Sequence, residues 1–143
     1  MASVSTYINF LGNTEEAFAF YAAAFGTEPI SVMRFGDMPP EAGGPELPEA
    51  DRNKLMHIAL PILGGHVLMA TDMLESLGHD LRAGNNFSIN LQPDTRDDAD
   101  RLHAALAAGA IDDTGLQDMP WGAYWASFLD KFGIRWMINV PDA

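Results

Sequence analysis

The spacing of hydrophobic residues predicts an amphipathic helix early in the chain. Apolar side chains recur at positions that share one helix face, namely Ala17, Phe18, Tyr21, Ala24 and Phe25. Asn13 or Thr14 is placed to accept a hydrogen bond from a free amide at the helix start, and Glu16 completes the pattern of a capping box. Gly26 follows the last apolar residue and predicts the end of the helix.

A second helix is predicted in the other half of the chain. Asp94 and Thr95 mark its start, and Gly109 marks its end. Its apolar face consists of Ala99, Leu102 and Leu106. The two halves therefore have one core-facing helix each.

Short apolar stretches bounded by turn residues predict four strands in each half. In the first half they lie at residues 7–11, 29–35, 55–63 and 66–72, and Gly64 and Gly65 predict a hairpin between the last two. In the second half they lie at residues 87–92, 111–116, 124–129 and 134–140. The stretch 111–116 is a poor strand because two aspartates and a glycine interrupt it.

The order strand, helix and three strands therefore occurs twice. The helix starts are 81 residues apart and the helix ends 83 apart, from Thr14 to Thr95 and from Gly26 to Gly109. The hairpin glycines Gly65 and Gly133 are only 68 apart, so the first half contains about 15 extra residues before its third strand. They coincide with a Pro-, Gly- and acid-rich loop at residues 37–54, for which a lid that orders on binding and a solvated insertion both remain open.

These patterns predict an α+β fold in a single domain of residues 1–143. We expect two βαβββ modules, at about residues 4–75 and 86–141, with the insertion 37–54 in the first. Since neither module can bury a sheet face alone, we expect the two to form one curved eight-stranded mixed sheet with helices on its outer face.

Composition narrows the possible functions. The chain has no cysteine, which excludes disulfides, thiolate nucleophiles and cysteine-based metal sites. Its 20 acidic and 8 basic residues give a net charge of −12, which counts against nucleic-acid and anionic-membrane binding. The first residues lack a basic and apolar leader pattern and no apolar run is long enough to span a membrane, so we expect a cytoplasmic protein.

The double βαβββ order resembles the vicinal oxygen chelate superfamily, which includes glyoxalases, fosfomycin-resistance enzymes, extradiol dioxygenases and bleomycin-binding proteins. Within it the chain looks most like the PhnB-like family. The segments that carry this resemblance are Glu15-Glu16-Ala17, Phe20-Tyr21, Phe25-Gly26, Leu55-Met56-His57, residues 68–72, Trp121-Gly122, and residues 130–133 and 136–139. By analogy with this superfamily, we expect a homodimer.

The resemblance also implies four metal-ligand positions, one on the first and one on the last strand of each half. Superfamily enzymes usually place histidines and glutamates there to bind one divalent metal. In this chain the positions fall at Thr6, Met69, Ser88 and Met137. Thioethers and hydroxyls are poor ligands for such ions, so we expect no metal and no cofactor, which puts the superfamily's usual Lewis-acid chemistry in doubt.

Other side chains are then candidates for ligand contact. If Met69 and Met137 face a ligand, strand alternation places eight further residues on their side, namely Thr6, Ile8, Val67, Thr71, Ser88, Asn90, Arg135 and Asn139. The same reasoning places Trp136 in the core. Arg135 is placed to hold a carboxylate in bidentate fashion, or else to reach solvent or an acidic neighbour.

Aromatic residues before the last hairpin offer a second kind of contact. Trp121 and Trp125, with Tyr124 and Phe128, either stack on a planar ligand or pack in the core or a subunit interface. His57, in a strand between Met56 and Ile58, is the one catalytic candidate, because imidazole titrates near neutral pH. The alternative for His57 is a buried histidine bonded to backbone or a carboxylate.

Three functions follow. We prefer a metal-free protein of this superfamily that binds a small molecule in a cleft, with no specific reaction. The first alternative is a lyase or isomerase that acts on a small acidic substrate with His57 as base and Arg135 as anchor. The second is a non-catalytic module for dimeric interaction.

Overall fold

The computed structural model describes residues 1–38 and 46–141. The chain divides into two compact units, Met1–Arg82 (unit 1) and Ala83–Ala143 (unit 2). Each has its own sheet, and the α+β class and the repeated module are confirmed. Union of both sheets into one curved sheet stays a prediction.

Unit 1 follows the predicted element order. Its elements are β1 (Thr6–Phe10), α1 (Thr14–Phe25), β2 (Ser31–Arg34), α2 (Glu49–Arg52), β3 (Leu55–Pro61) and β4 (Val67–Asp72). The strand order in its sheet is β1-β4-β3-β2, with β1 parallel to β4 and the other pairs antiparallel. The predicted strands are all present. β1 has the predicted length but begins one residue earlier, and the other three are one to three residues shorter.

The core of unit 1 lies between α1 and one face of this sheet. Helix α1 packs on β3 and β4. Its Ala17, Phe18, Tyr21 and Ala24 are buried as predicted, whereas Phe25 is only half-buried. The strands contribute Leu60, Leu68 and Ala70, all of which are fully buried.

The start of α1 is capped differently from the prediction. Asn13 and Thr14 make no local capping bond through their side chains. Instead, Asp72 at the end of β4 accepts hydrogen bonds from the Thr14 amide at 3.0 Å and the Thr14 hydroxyl at 2.6 Å. A distant carboxylate therefore replaces the predicted capping box.

Part of the insertion 37–54 has regular structure. The one-turn helix α2 occupies Glu49–Arg52, where the sequence predicts an irregular loop. Asp51 in α2 is buried, accepts a hydrogen bond from the Ser76 hydroxyl at 2.7 Å and pairs with Lys54 at 2.9 Å. Residues 39–45 lie outside the described part of the chain, and the lid hypothesis for this loop rests on them.

Unit 2 repeats the order with one strand divided. Its elements are β5 (Ile89–Leu91), α3 (Arg96–Leu106), β6 (Asp112–Asp113), β7 (Gln117–Asp118), β8 (Ala123–Leu129) and β9 (Arg135–Pro141). The strand order is β5-β9-β8-β6, and β7 also pairs with β8. In place of the one poor strand predicted at 111–116 there are two short strands, β6 inside that range and β7 just after it. The described residues therefore contain one strand more than the eight predicted.

Unit 2 buries its core between α3 and one face of its own sheet. Thr95 caps α3 as predicted, with its hydroxyl accepting the Asp98 amide at 3.1 Å. Trp136 is fully buried, as the sequence predicts, and donates its indole N–H to the Asp130 carboxylate at 2.9 Å.

No helix in the described residues combines the length and apolar character needed to cross a membrane.

Candidate functional site

The face of the unit 1 sheet opposite α1 carries the candidate catalytic residue. In the β1–β4 register Tyr7 lies beside Met69, and in the β3–β4 register Ala59 lies beside Met69. Strand alternation places His57 and Thr71 on this same face, while Leu68 and Ala70 point to α1. We call the set Tyr7, His57, Met69 and Thr71 the His57 face.

Tyr7 and His57 form a pair across β4. The Tyr7 hydroxyl lies 3.3 Å from Nδ1 of His57, and the two ring centroids are 5.9 Å apart. The Tyr7 side chain is half exposed, at 51%. Partial burial raises the pKa of the Tyr7 phenol above its ordinary value, so the phenol keeps its proton and is a donor to Nδ1.

This hydrogen bond fixes which histidine nitrogen is available for other chemistry. If Tyr7 donates to Nδ1, a neutral His57 carries its proton on Nε2. The imidazole then presents an N–H donor when neutral, and Tyr7 limits its rotation. Met33 on β2 lies beside His57 in the register, which adds a second thioether to this face.

Thr6 does not belong to the His57 face. The register pairs Thr6 with Leu68, on the side of α1, and its hydroxyl lies 2.8 Å from Nε2 of His66. The predicted placement of Thr6 and Ile8 beside Met69 is therefore wrong by one residue. Ser5 takes that place, with its hydroxyl 3.8 Å from the Met69 sulfur.

The corresponding face of unit 2 carries most of the other candidates. Asn90 lies beside Met137 in the β5–β9 register, and Trp125 lies beside Asn139 in the β8–β9 register. Alternation along β9 puts Arg135 on the same side, away from the buried Trp136 and Ile138. We call the set Asn90, Trp125, Arg135, Met137 and Asn139 the Arg135 face, and Ser88, just before β5, extends it.

The predicted aromatic cluster is divided between the two sides of this sheet. Phe128 is fully buried on the side of α3, and the Tyr124 hydroxyl bonds to Asp100 of α3 at 2.5 Å. Trp125 alone of the strand aromatics lies on the Arg135 face, half-buried. Trp121 lies in the turn before β8 and is 67% exposed.

The residues at the superfamily's metal positions fit a divalent cation poorly. With the corrected register these positions hold Ser5 and Met69 in unit 1 and Ser88 and Met137 in unit 2. Hydroxyls and thioethers are weak ligands for borderline cations such as zinc. Among residues 1–38 and 46–141, no three His, Asp or Glu side chains come close enough to hold an ion elsewhere.

The other three histidines have structural partners. His66 bonds to Thr6, and Nδ1 of His79 accepts the Leu74 amide at 2.9 Å. His103 pairs through Nε2 with both oxygens of Asp113 at 3.0 Å, and its ring meets the edge of Phe128. His57 differs from these three because it and its partner Tyr7 lie on the face of the unit 1 sheet opposite α1.

The sequence interpretation missed Tyr7. A repeat offset of 83, taken from the helix ends Gly26 and Gly109, aligns Tyr7 with Asn90 and Ser5 with Ser88. The alignment of Thr6 with Ser88 instead uses an offset of 82. The spacing of Gly26 and Gly109 therefore predicts that Tyr7, and not Thr6, shares the face of Met69.

Comparisons with known proteins agree with this fold. The family model described as the Glyoxalase/Bleomycin resistance protein/Dioxygenase superfamily matches residues 7–138. Protein YjdN of Escherichia coli is 27% identical over 96% of this chain and 94% of its own. The crystal structure of protein PA1353 from Pseudomonas aeruginosa is 31% identical, covers 100% of both chains and has a TM-score of 0.83. The PhnB protein of Bacillus cereus is 22% identical, covers 97% of this chain and 99% of its own, and has a TM-score of 0.73.

Proposed function

The chain belongs to the glyoxalase/bleomycin resistance protein/dioxygenase superfamily, and we propose that it binds a small organic molecule through its own side chains, without a metal at the superfamily's usual positions. No specific reaction is part of this proposal. In unit 1, the proposed ligand contacts the His57 face.

The Tyr7–His57 hydrogen bond carries the proposal. The core of unit 1 lies on the other side of the sheet, so packing does not require a phenol and an imidazole here. Placing two hydrogen-bonding rings 5.9 Å apart on this face offers a ligand both polar atoms and ring surface.

Methionines complete a surface suited to an organic ligand. Met69 and Met33 flank the ring pair, and an unbranched thioether adapts its shape to an apolar or aromatic neighbour. The His57 face therefore combines flexible apolar side chains with a small number of polar atoms in fixed positions, which is typical of small-molecule sites.

Thermal-shift and calorimetric titration test the proposal with a panel of small carboxylic acids, their amides and planar aromatics. We expect at least one compound to raise Tm and to bind about fivefold more weakly to Tyr7→Phe, since one hydrogen bond is worth about 1 kcal/mol. Tyr124→Phe is the matched control, because it removes a phenol hydroxyl on the α3 side of unit 2. A compound that binds the wild type but is indifferent to both Tyr7→Phe and His57→Gln contradicts this site.

A lyase or isomerase is the second candidate, favoured by the orientation that Tyr7 gives to His57. In that case the Tyr7–His57 pair acts as the base: the Tyr7 hydroxyl gives its proton to Nδ1 of His57 as it takes one from an acidic substrate. Once a bound compound is known, His57→Gln separates the two functions. An enzyme loses turnover and retains binding, whereas a binding protein has no turnover to lose.

An interaction module is the third candidate, and an edge strand favours it. On and beside β2, at the edge of the unit 1 sheet, the side chains of Ile30 and Val32 are 68% and 51% exposed. Such an edge can pair with a second copy, as the expected homodimer requires. Sedimentation analysis of the wild type and of Val32→Lys tests this: a dimer that dissociates in the variant supports it, and a monomeric wild type contradicts it.

A further inference from the structure

The Arg135 face contains a cation without an acidic partner among residues 1–38 and 46–141. Basic residues elsewhere in the described part of the chain pair with carboxylates, as Arg34–Glu15, Lys54–Asp51, Arg82–Asp80, Arg96–Asp118 and Arg101–Asp98. Arg135 makes no ion pair and no side-chain hydrogen bond with any residue in the described ranges. This is unexpected in a chain with 20 acidic residues.

The position of Arg135 adds to its significance. Arg52 also lacks an acidic partner among the described residues, but it is exposed on α2, where water solvates it fully. Arg135 is half-buried on the sheet face. A guanidinium that loses part of its hydration without gaining a partner costs free energy, which a bound anion would recover.

No acidic residue lies next to Arg135 on this face. Leu129 is its neighbour on β8, and alternation places Ser88 on its other side. The next row along the strands holds Met137 between Asn90 and Ser127. The positions directly beside Arg135 are therefore neutral, with the flexible apolar Met137 in the next row. The acidic residue of its own row is Asp112 on β6, which lies one strand beyond Leu129 and makes no ion pair with Arg135.

The dimensions of the face indicate the shape of a ligand. Asn139 follows Arg135 by four residues along β9, which corresponds to about 13 Å at the usual rise of a strand. Trp125 lies beside Asn139 and provides a ring at that end. A two-ring molecule placed over Met137 has one end within reach of the Arg135 guanidinium and the other near Trp125.

We propose that the Arg135 face binds a planar organic carboxylate, with the carboxylate held by the Arg135 guanidinium, the rings over Met137 and the far edge against Trp125. The fork of the guanidinium matches the two oxygens of a carboxylate, and aromatic rings pack favourably on a thioether and an indole. This inference rests on the proposed function, since it names the ligand class for a small-molecule-binding protein.

The net charge of the chain makes the inference testable. At −12 the protein repels anions at long range. Without a local cationic site, a neutral compound should therefore bind at least as well as its carboxylate analogue. A preference for the carboxylate has to come from a nearby cation.

The experiment compares 2-naphthoate with 2-naphthamide, which has the same rings and no charge, by calorimetric titration. We expect the wild type to bind 2-naphthoate about tenfold more tightly, because hydrogen bonds to charged groups are the stronger ones. Arg135→Gln should abolish that preference, and Arg135→Lys should reduce it while retaining the charge. Arg101→Gln, which removes the same charge from an exposed ion pair on α3, should leave the preference intact.

Each other result contradicts the inference in a recognisable way. Equal binding of the two compounds, or a preference that persists in Arg135→Gln, overturns the Arg135 site but leaves small-molecule binding intact. If neither compound binds and other members of the panel do, the ligand class is wrong and the proposed function stands. If no compound in the panel binds, both fail. Unchanged Tm of each variant shows that it has folded.

Discussion

Thr14 and Asp72, 58 residues apart in the sequence, are joined by a hydrogen bond of 2.6 Å from the threonine hydroxyl to the carboxylate. The same carboxylate accepts the amides of Thr14 at 3.0 Å and Leu55 at 2.9 Å. One side chain therefore connects the start of α1, the start of β3 and the end of β4. Asp72 is 2% exposed, so water cannot replace these bonds.

We expect Asp72→Ala to lower the free energy of unfolding by about 3 kcal/mol, because it leaves several buried donors without an acceptor. Urea denaturation measures this change. Thr95→Ala, which removes the local cap of α3, is the comparison and should cost only about 1 kcal/mol. A smaller loss in Asp72→Ala than in Thr95→Ala contradicts the role assigned to Asp72.

Asp130 is the buried carboxylate of unit 2 and lies in the turn between β8 and β9. Its carboxylate accepts the amides of Phe132 at 2.8 Å and Ile134 at 3.0 Å, and the indole of Trp136 at 2.9 Å. Trp136→Phe removes the indole donor and leaves a small cavity, so we expect a loss of about 2 kcal/mol in the free energy of unfolding. Trp121→Phe is the control, since Trp121 is 67% exposed and should cost almost nothing. Equal losses of unfolding free energy in the two variants would contradict a stabilising hydrogen bond between the Trp136 indole and Asp130.

The stability of the protein at acidic pH should depend on the ionisation of the Asp51 carboxyl. Hydrogen bonds from Ser76 and from Lys54 lower the pKa of the Asp51 carboxyl below its ordinary value of 3.8. The unfolded chain then takes up the proton first as the pH falls. The stabilisation from Asp51 is therefore complete above pH 3.8 and is lost as the pH drops through the lowered pKa.

Two variants check this assignment. Asp51→Asn should flatten the fall in stability below pH 3.8, measured by denaturation at a series of acidic pH values. Ser76→Ala should move the Asp51 pKa back towards its ordinary value in a carboxyl NMR titration. An Asp51 signal that titrates at the same pH in Ser76→Ala and in the wild type would show that the hydroxyl is not the cause.

Removal of metal should leave binding unchanged. This chain has hydroxyls and thioethers at the positions where superfamily enzymes carry metal ligands. Treatment with a chelator should therefore alter neither Tm nor the affinity for a bound compound. Elemental analysis of protein purified without chelator completes the experiment. Stoichiometric zinc, nickel, iron or manganese that is lost together with binding contradicts the proposal.

Local patterns in the sequence predict the elements of both units well. The apolar spacing in α1, the cap at Thr95 and the terminal glycine Gly26 each depend on neighbours within one or two helical turns. Strand positions are predicted for the same reason. The stretch 111–116 has a weak strand propensity, and only Asp112–Asp113 within it forms a strand, with β7 following at Gln117–Asp118.

The features that the sequence does not predict depend on long-range pairing. Asp72 caps a helix that starts 58 residues earlier, and no local pattern indicates this. The register of β1 against β4 decides whether Thr6 or Tyr7 lies beside Met69, and a shift of one residue reverses the face of every side chain. The helix-end spacing could have placed Tyr7 on the face of Met69, but its hydrogen bond to His57, 50 residues away, depends on the pairing of β1, β4 and β3 and is visible only in three dimensions.

The two buried carboxylates have a consequence for how readily this scaffold can change. Asp72 joins three elements of unit 1, and Asp130 joins the β8–β9 turn to the buried Trp136. Both sets of bonds lie on the helix side of their sheet, opposite the candidate contacts. Random libraries at Tyr7, His57, Trp125 and Arg135 should thus yield mostly folded proteins. The fold supplies a platform on which new specificities can be selected in either repeat, with little loss of stability.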